Sequence, residues 1–157
     1  MITRFERFTR AVNEINRCWH NIAAQEMASY GLKAVHASYL ITLLHHPDGI
    51  TAAEVGRSCG RDKAEVSRMM NMLQQKGLVS RTATGSGVYR AAFTLTSQGQ
   101  TAAKQVSYLA QTAVEFAGGQ MSEQERALFY NCLDQIVDNL RILDEKGIPK
   151  PLNQEIV

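Results

Sequence analysis

A chain of 157 residues that is 45% hydrophobic and 20% charged has the ordinary composition of one folded domain, with or without extensions, and can bury a real core. Its formal net charge of +2 and pI near 8.5 are mildly basic, and they establish no nucleic-acid partner, because binding depends on where charges cluster. No stretch approaches the ~20 apolar residues needed to span a bilayer, and the opening MITRFERFTR is charged where a secretory signal is apolar, so the expectation is a cytoplasmic protein without a membrane partner.

From Phe5 to about Met27, apolar residues fall at Phe5, Phe8, Val12, Ile15, Trp19 and Ile22. Spacings alternating between three and four predict a coiled-coil-like stripe on one face of a long helix. Gly31 interrupts it. A second helix runs through KAVHASYLITLLHH and is ended by Pro47, Asp48 and Gly49. Thr51 and Glu54 form a T-x-x-E capping box that opens a short helix ending near Ser58–Gly60. Asp62, with Glu65 three residues on, caps another helix that runs to Lys76, and Gly77 supplies the left-handed position that stops it. Then the period changes. LVSRTATGSGVYRAAFTLT holds two stretches rich in Val, Thr, Tyr and Phe around TGSG, which predicts a two-stranded hairpin. From Ser97 a helix resumes, with Ala102, Val106, Leu109, Ala113 and Phe116 on one side, and it breaks at Gly118–Gly119. SEQE at Ser122–Glu125 is a capping box for a last helix bearing Phe129, Leu133, Ile136, Leu140 and Leu143, followed after Gly147 by an extended tail with Pro149 and Pro151.

The Asp62–Lys76 helix carries the functional signal. Val66, Met70 and Leu73, four and three apart, face inward; Lys63, Ser67, Arg68, Asn71 and Gln74 lie on the outward side or its flanks. A helix fits the DNA major groove, where Arg bridges guanine acceptors and Asn bridges adenine while Lys and Ser hold phosphates. The helix N-terminus favours anions, and Arg61 just outside the cap adds positive charge there. A merely solvated helix face is the plain alternative. Against it stand the position of the helix, second in a tight pair and followed by a hairpin, and a single acidic residue after its cap, Glu65.

ITAAEVGRSCGRDKAEVSRMMNMLQQKGLVSR followed by FTLTSQG resembles the multiple antibiotic resistance regulator (MarR) family. The motif runs through Val66-Ser67-Arg68 and Lys76-Gly77-Leu78-Val79 to Leu95-Thr96-x-x-Gly99, and GLKAVHASYLITLLHHPDGIT fits the family's second helix. The resemblance implies a mainly helical protein with a small β-hairpin wing: a winged helix-turn-helix over 31–97, an N-terminal dimerisation helix over 1–30, and C-terminal dimerisation helices and tail over 98–157. It implies a homodimer, a DNA-binding transcriptional regulator and, by family habit, a repressor. A two-fold dimer sets two recognition helices ~34 Å apart on a pseudo-palindromic site of double-stranded DNA. The expected DNA-facing residues are Arg61, Lys63, Ser67, Arg68, Asn71 and Gln74, with Arg81 and Arg90 from the hairpin. One departure stands out. Where the family's wing carries an Asp and Arg residues, this sequence has Gly87, Val88 and Tyr89, with Arg90 one residue out of step and Arg81 at the base of the first strand.

Family members often bind small aromatic or phenolic effectors between the dimer helices and the DNA-binding lobe; here Trp19, His20, Tyr30, His36, Tyr39 and Tyr108 are the candidates, with ordinary core packing as the alternative. Some relatives sense oxidants through an N-terminal cysteine, and Cys18 lies between Arg17 and Trp19-His20. With Cys59 and Cys132 it makes three widely spaced cysteines, read as reduced thiols. No metal or other cofactor is expected, since His45 and His46 are adjacent and no His or Cys pair at helical spacing supports them. Nor is an enzyme: Gly85-Ser86-Gly87 lacks the strand-to-helix setting of a nucleophile elbow. The competing reading is a winged-helix dimer that serves as a protein-interaction module and reads no DNA.

Overall fold

A computed structural model describes residues 3–83 and 91–148. The elements are α1 (Arg4–Ala28), α2 (His36–Leu44), β1 (Ile50–Thr51), α3 (Ala52–Cys59), α4 (Lys63–Gln75), β2 (Val79–Ala83), β3 (Ala91–Leu95), α5 (Ser97–Ala117) and α6 (Glu123–Lys146). This is a mainly helical winged-helix architecture with a small antiparallel sheet. Two compact units divide the chain, one ending at Ala113 and one beginning at Val114.

In the first unit the expected caps do their work. Thr51 accepts the Glu54 N–H while Glu54 reaches back to the Thr51 backbone, and α3 closes on Gly60 at φ 62°. Asp62 accepts the Glu65 N–H at 2.8 Å. Glu65 does not return the bond; its carboxylate pairs instead with Arg61 at 3.5 Å. Gly77 follows α4 at φ 70°. The second helix is shorter than its apolar run, starting at His36 instead of Lys33, because Lys33 to Val35 form a turn whose Lys33 N–H donates to Nδ1 of the His36 ring.

The sheet holds a strand the sequence hides. Ile50 and Thr51 pair antiparallel with Phe93 and Ala92, so the order is β1-β3-β2 and the hairpin gains a third, two-residue edge. The β2–β3 ladder runs from Val79 opposite Leu95 to Ala83 opposite Ala91. The expected TGSG hairpin tip, and with it Arg90, lies outside the described residues, as does the tail with Pro149 and Pro151.

The core gathers Met27 of α1, Leu40 and Leu43 of α2, Val55 of α3, Val66, Met70 and Leu73 of α4, Leu78 before the sheet, and Val106 of α5, each at most 1% exposed. Burial of such a side chain contributes about 1.5–3 kcal/mol, so this set fixes how α3 and α4 are turned. Upstream of Ala23, the stripe on α1 finds little cover: Phe5 is 74% and Ile15 65% exposed.

In the second unit α6 begins on the Ser122–Glu125 capping box and buries no residue at all; Phe129, Leu133, Ile136 and Leu140 stay exposed. Arg126 is the inward-turned exception to its polar face, giving Nη1 to Glu115 (3.1 Å) and Nη2 to the Gly118 carbonyl (3.2 Å), which ties the first turn of α6 to the last turn of α5.

Candidate nucleic-acid interface

Between α3, α4 and the β2–β3 ladder lies an open groove of about 1200 Å³. Its lining collects Arg57 from α3, Arg61 from the turn, Lys63, Ser67 and Asn71 from α4, and Arg81 from β2. The packing of Val66, Met70 and Leu73 forces this arrangement, since residues at four-residue spacing on the other side of α4 then line up along the groove.

The groove lining holds four cations and one carboxylate, Glu54, and Arg61 is itself paired with Glu65 at 3.5 Å. Glu54 is committed locally: its Oε2 accepts from the Thr51 N–H (2.9 Å) and hydroxyl (2.6 Å), bonds that hold its carboxyl below the usual carboxylate range. Arg81 stands opposite Phe93 in the ladder, with its guanidinium carbon 5.8 Å from the ring centroid. Such a cation–π contact, worth about 0.5–1 kcal/mol where exposed, presets the direction of the arginine. At the α4 N-terminus Asp62 takes one backbone donor, and its carboxylate and that of Glu65 offset the positive end of the helix, so the attraction for anions rests on the cations along the groove.

Of the sequence-derived set, Arg61, Lys63, Ser67, Asn71 and Arg81 therefore share one concave face. Arg68 is exposed but does not line the groove, and Gln74 is half-buried beyond its end. Arg57 was not in the sequence-derived set. Only the packing of α3 against α4 brings it beside Arg61; Gly56 allows that approach, because a Cβ there would stand 3.0 Å from the Arg61 carbonyl.

The six effector candidates do not come together in the same way. His36 and Tyr39 are buried in the core, Trp19 and Tyr30 are half-buried, and His20 and Tyr108 are exposed. Tyr30 already gives its hydroxyl to Gln105 of α5. None of the six lines the groove or the smaller cavity of about 150 Å³ bounded by Leu43, Pro47 and Leu95. Among the described residues the Tyr39 hydroxyl has no partner; burial, followed by the negative charge of Glu65, pushes it up to about 12. Among the described residues His36 meets the Lys33 backbone with Nδ1, 3.1 Å from its nitrogen and 3.0 Å from its oxygen, and has no partner for the buried Nε2; burial pushes the imidazole below its usual range. Cys18 is exposed, and its thiol faces the Glu14 carboxylate at 3.7 Å as well as Arg17 at 4.0 Å. Among the described residues no three His, Cys, Asp or Glu side chains cluster as metal ligands, and no helix is long and apolar enough to cross a membrane.

Residues 30–87 match the model of the MarR family. Solved structures share the fold across most of the chain. A MarR transcriptional regulator from Methanosarcina mazei Go1 aligns at TM-score 0.75 and 20% identity, over 87% of this chain and 99% of that one. MepR of S. aureus in its DNA complex aligns at TM-score 0.76 and 18% identity, over 84% and 97%. A MarR family transcriptional regulator from Listeria monocytogenes complexed with 26mer DNA aligns at TM-score 0.78 and 18% identity, over 90% and 96%. No curated protein matches the chain.

Proposed function

We propose that this chain, whose residues 30–87 match the MarR family model, is a transcriptional regulator that binds a pseudo-palindromic DNA site as a homodimer and acts as a repressor. One observation supports the reading above all: Arg57, Arg61, Lys63 and Arg81, drawn from four segments of the fold, converge on a groove along the exposed row of α4. Phosphate contacts from such cations position a protein on the duplex, while the polar residues between them reach base edges.

The apolar surface supports the two-fold assembly. Phe5, Phe8, Val12 and Ile15 on α1, and Phe129, Leu133, Ile136 and Leu140 on α6, are too much exposed apolar face for a chain that stays alone. In this reading 1–30 and 98–157 are the dimerisation segments and 31–97 the DNA-binding one. A small aromatic ligand that releases the DNA would meet Trp19, His20, Tyr30 and Tyr108, which keep accessible surface, whereas His36 and Tyr39 serve the core.

Selection of bound fragments from a random duplex pool tests the proposal, first alone and then with phenolic carboxylates present. A palindromic winner is expected, with lower recovery when the effector is present. Fragments recovered without any shared sequence would support the protein-interaction module instead.

A further inference from the structure

Building on the DNA-binding reading above, we infer that Glu65 restrains DNA binding by holding the guanidinium of Arg61, and that Arg61 takes a backbone phosphate only as this ion pair breaks.

Among the described helices, α1, α3, α4 and α6 each begin on a capping side chain followed three positions later by glutamate, and α4 is the odd one. In the other three the cap is Thr3, Thr51 or Ser122. There the glutamate carboxylate accepts both the backbone N–H and the hydroxyl of the cap residue. Glu65 is denied that place. Its cap is Asp62, which has no hydroxyl to give and whose carboxylate already accepts the Glu65 N–H at 2.8 Å. A second carboxylate brought back to this cap would meet a like charge. The Glu65 side chain turns away and takes Arg61 instead, Oε1 to Nη1 at 3.5 Å.

The pair lies where it competes with DNA. Arg61 lines the groove and Glu65 does not. Glu65 follows Lys63 by two residues, about 200° around the axis, so it draws the guanidinium toward the flank of α4 away from Lys63 and Ser67. The Arg61 backbone is fixed, since its N–H donates to the Gly56 carbonyl at 2.9 Å, and only the side chain is left to change partner. That side chain is 46% exposed, open to an incoming phosphate, while the Glu65 side chain is 23% exposed. Keeping both partners would set a phosphate beside a carboxylate, and these repel. A phosphate contact carries no sequence information, so the restraint lowers affinity for every duplex by one factor and leaves sequence preference as it is.

A double-mutant cycle on the full chain tests this. Affinity is measured for the selected site and for a scrambled duplex of the same length, in about 0.15 M salt, where exposed charges more than about 8 Å apart are largely screened. Glu65→Gln should tighten both duplexes equally, by about two- to fivefold, the worth of an exposed ion pair. Asp62 keeps the cap, so thermal melting should stay unchanged. In an Arg61→Ala background the same glutamate substitution should gain nothing.

A gain that persists in the Arg61→Ala background belongs to the general field of the carboxylate and overturns the restraint. A Glu65→Gln chain that binds no better than wild type, or more weakly, overturns it too. A wild-type chain with no affinity for either duplex removes the DNA-binding premise, and the restraint falls with it.

Discussion

The carbonyl oxygen of Leu78 lies 1.8 Å from the point where a Cβ on Gly99 would stand. That approach joins the end of α4 to the start of α5, and Thr96 locks it: its N–H donates to the same Leu78 oxygen at 3.0 Å, its hydroxyl donates to the Gly77 carbonyl at 2.7 Å, and its oxygen accepts the Gly99 N–H at 3.0 Å. The motif pieces Gly77-Leu78 and Thr96-x-x-Gly99 are therefore two sides of one joint. It holds α4, β2 and α5 in fixed relation.

Gly99→Ala should destabilise the fold by about 3 kcal/mol or more, since the clash is with backbone and neither helix end can yield without breaking the Thr96 bonds. Thr96→Val, which keeps the shape and removes the hydroxyl, should cost about 1–2 kcal/mol through the lost cap and the unpaired Gly77 carbonyl. Urea titration reads both, and a Gly99→Ala variant as stable as wild type would mean that the joint is looser than its geometry.

Arg81 gives a different signature. Its guanidinium is preset over Phe93 and lines the groove, so it should take one phosphate without reading a base. Arg81→Ala should weaken all duplexes alike and flatten the plot of log affinity against log salt by about one unit. Phe93→Leu, which removes the ring but keeps an apolar side chain in the sheet, should reproduce part of the loss. An unaltered slope in Arg81→Ala would place the cation off the DNA.

Much of this arrangement can be read from local chemistry. Thr51 with Glu54, Ser122 with Glu125, and glycines at 60 and 77 announce helix ends because caps involve neighbours three or four residues apart. The inward row of α4 is equally local, so Lys63, Ser67 and Asn71 were visible as a face. What the sequence hides depends on distant partners. Strand β1 is two residues long and exists only because Phe93 and Ala92 accept it, so it has no period of its own. Arg57 joins the groove through α3–α4 packing, and Arg68 leaves it because a helix face is narrower than the polar arc that surrounds it. The reason for Gly99 is a carbonyl from twenty-one residues earlier.

Two buried side chains make stability depend on pH. Tyr39 titrates near 10 when unfolded and at about 12 when folded, so between these values the unfolded chain binds fewer protons. Stability is full below pH 10 and falls as pH rises, by about 3 kcal/mol at most by pH 12. His36 has its folded value lowered by burial, so at acid pH the unfolded chain binds more protons, and stability is full above about 6.5 and declines as pH drops below it. Tyr39→Phe should abolish its part of the alkaline decline and, with no partner lost, leave neutral stability unchanged or raised by about 1 kcal/mol. His36→Gln should flatten the acid limb. Urea midpoints from pH 5 to 11.5 test both, and an unchanged alkaline limb in Tyr39→Phe would assign the loss to another group.

The exposed stripe on α1 makes a prediction about assembly. Ile15 is 65% exposed in the single chain, so Ile15→Asp should scarcely alter the stability of one protomer. If the stripe is covered by a second copy, the same change places a carboxylate in an apolar interface, where desolvation without a partner is costly. Sedimentation at micromolar concentration should find wild type dimeric and Ile15→Asp shifted to monomer. Arg10→Asp, an exposed change on the opposite face of α1, should leave the dimer intact. Loss of the dimer should carry a characteristic cost on DNA: each protomer keeps its groove, yet binding to a palindrome falls to that of a single half-site, because the second contact is no longer tethered to the first. A wild-type chain that sediments as a monomer, or an Ile15→Asp dimer as tight as wild type, would take the α1 stripe out of the assembly.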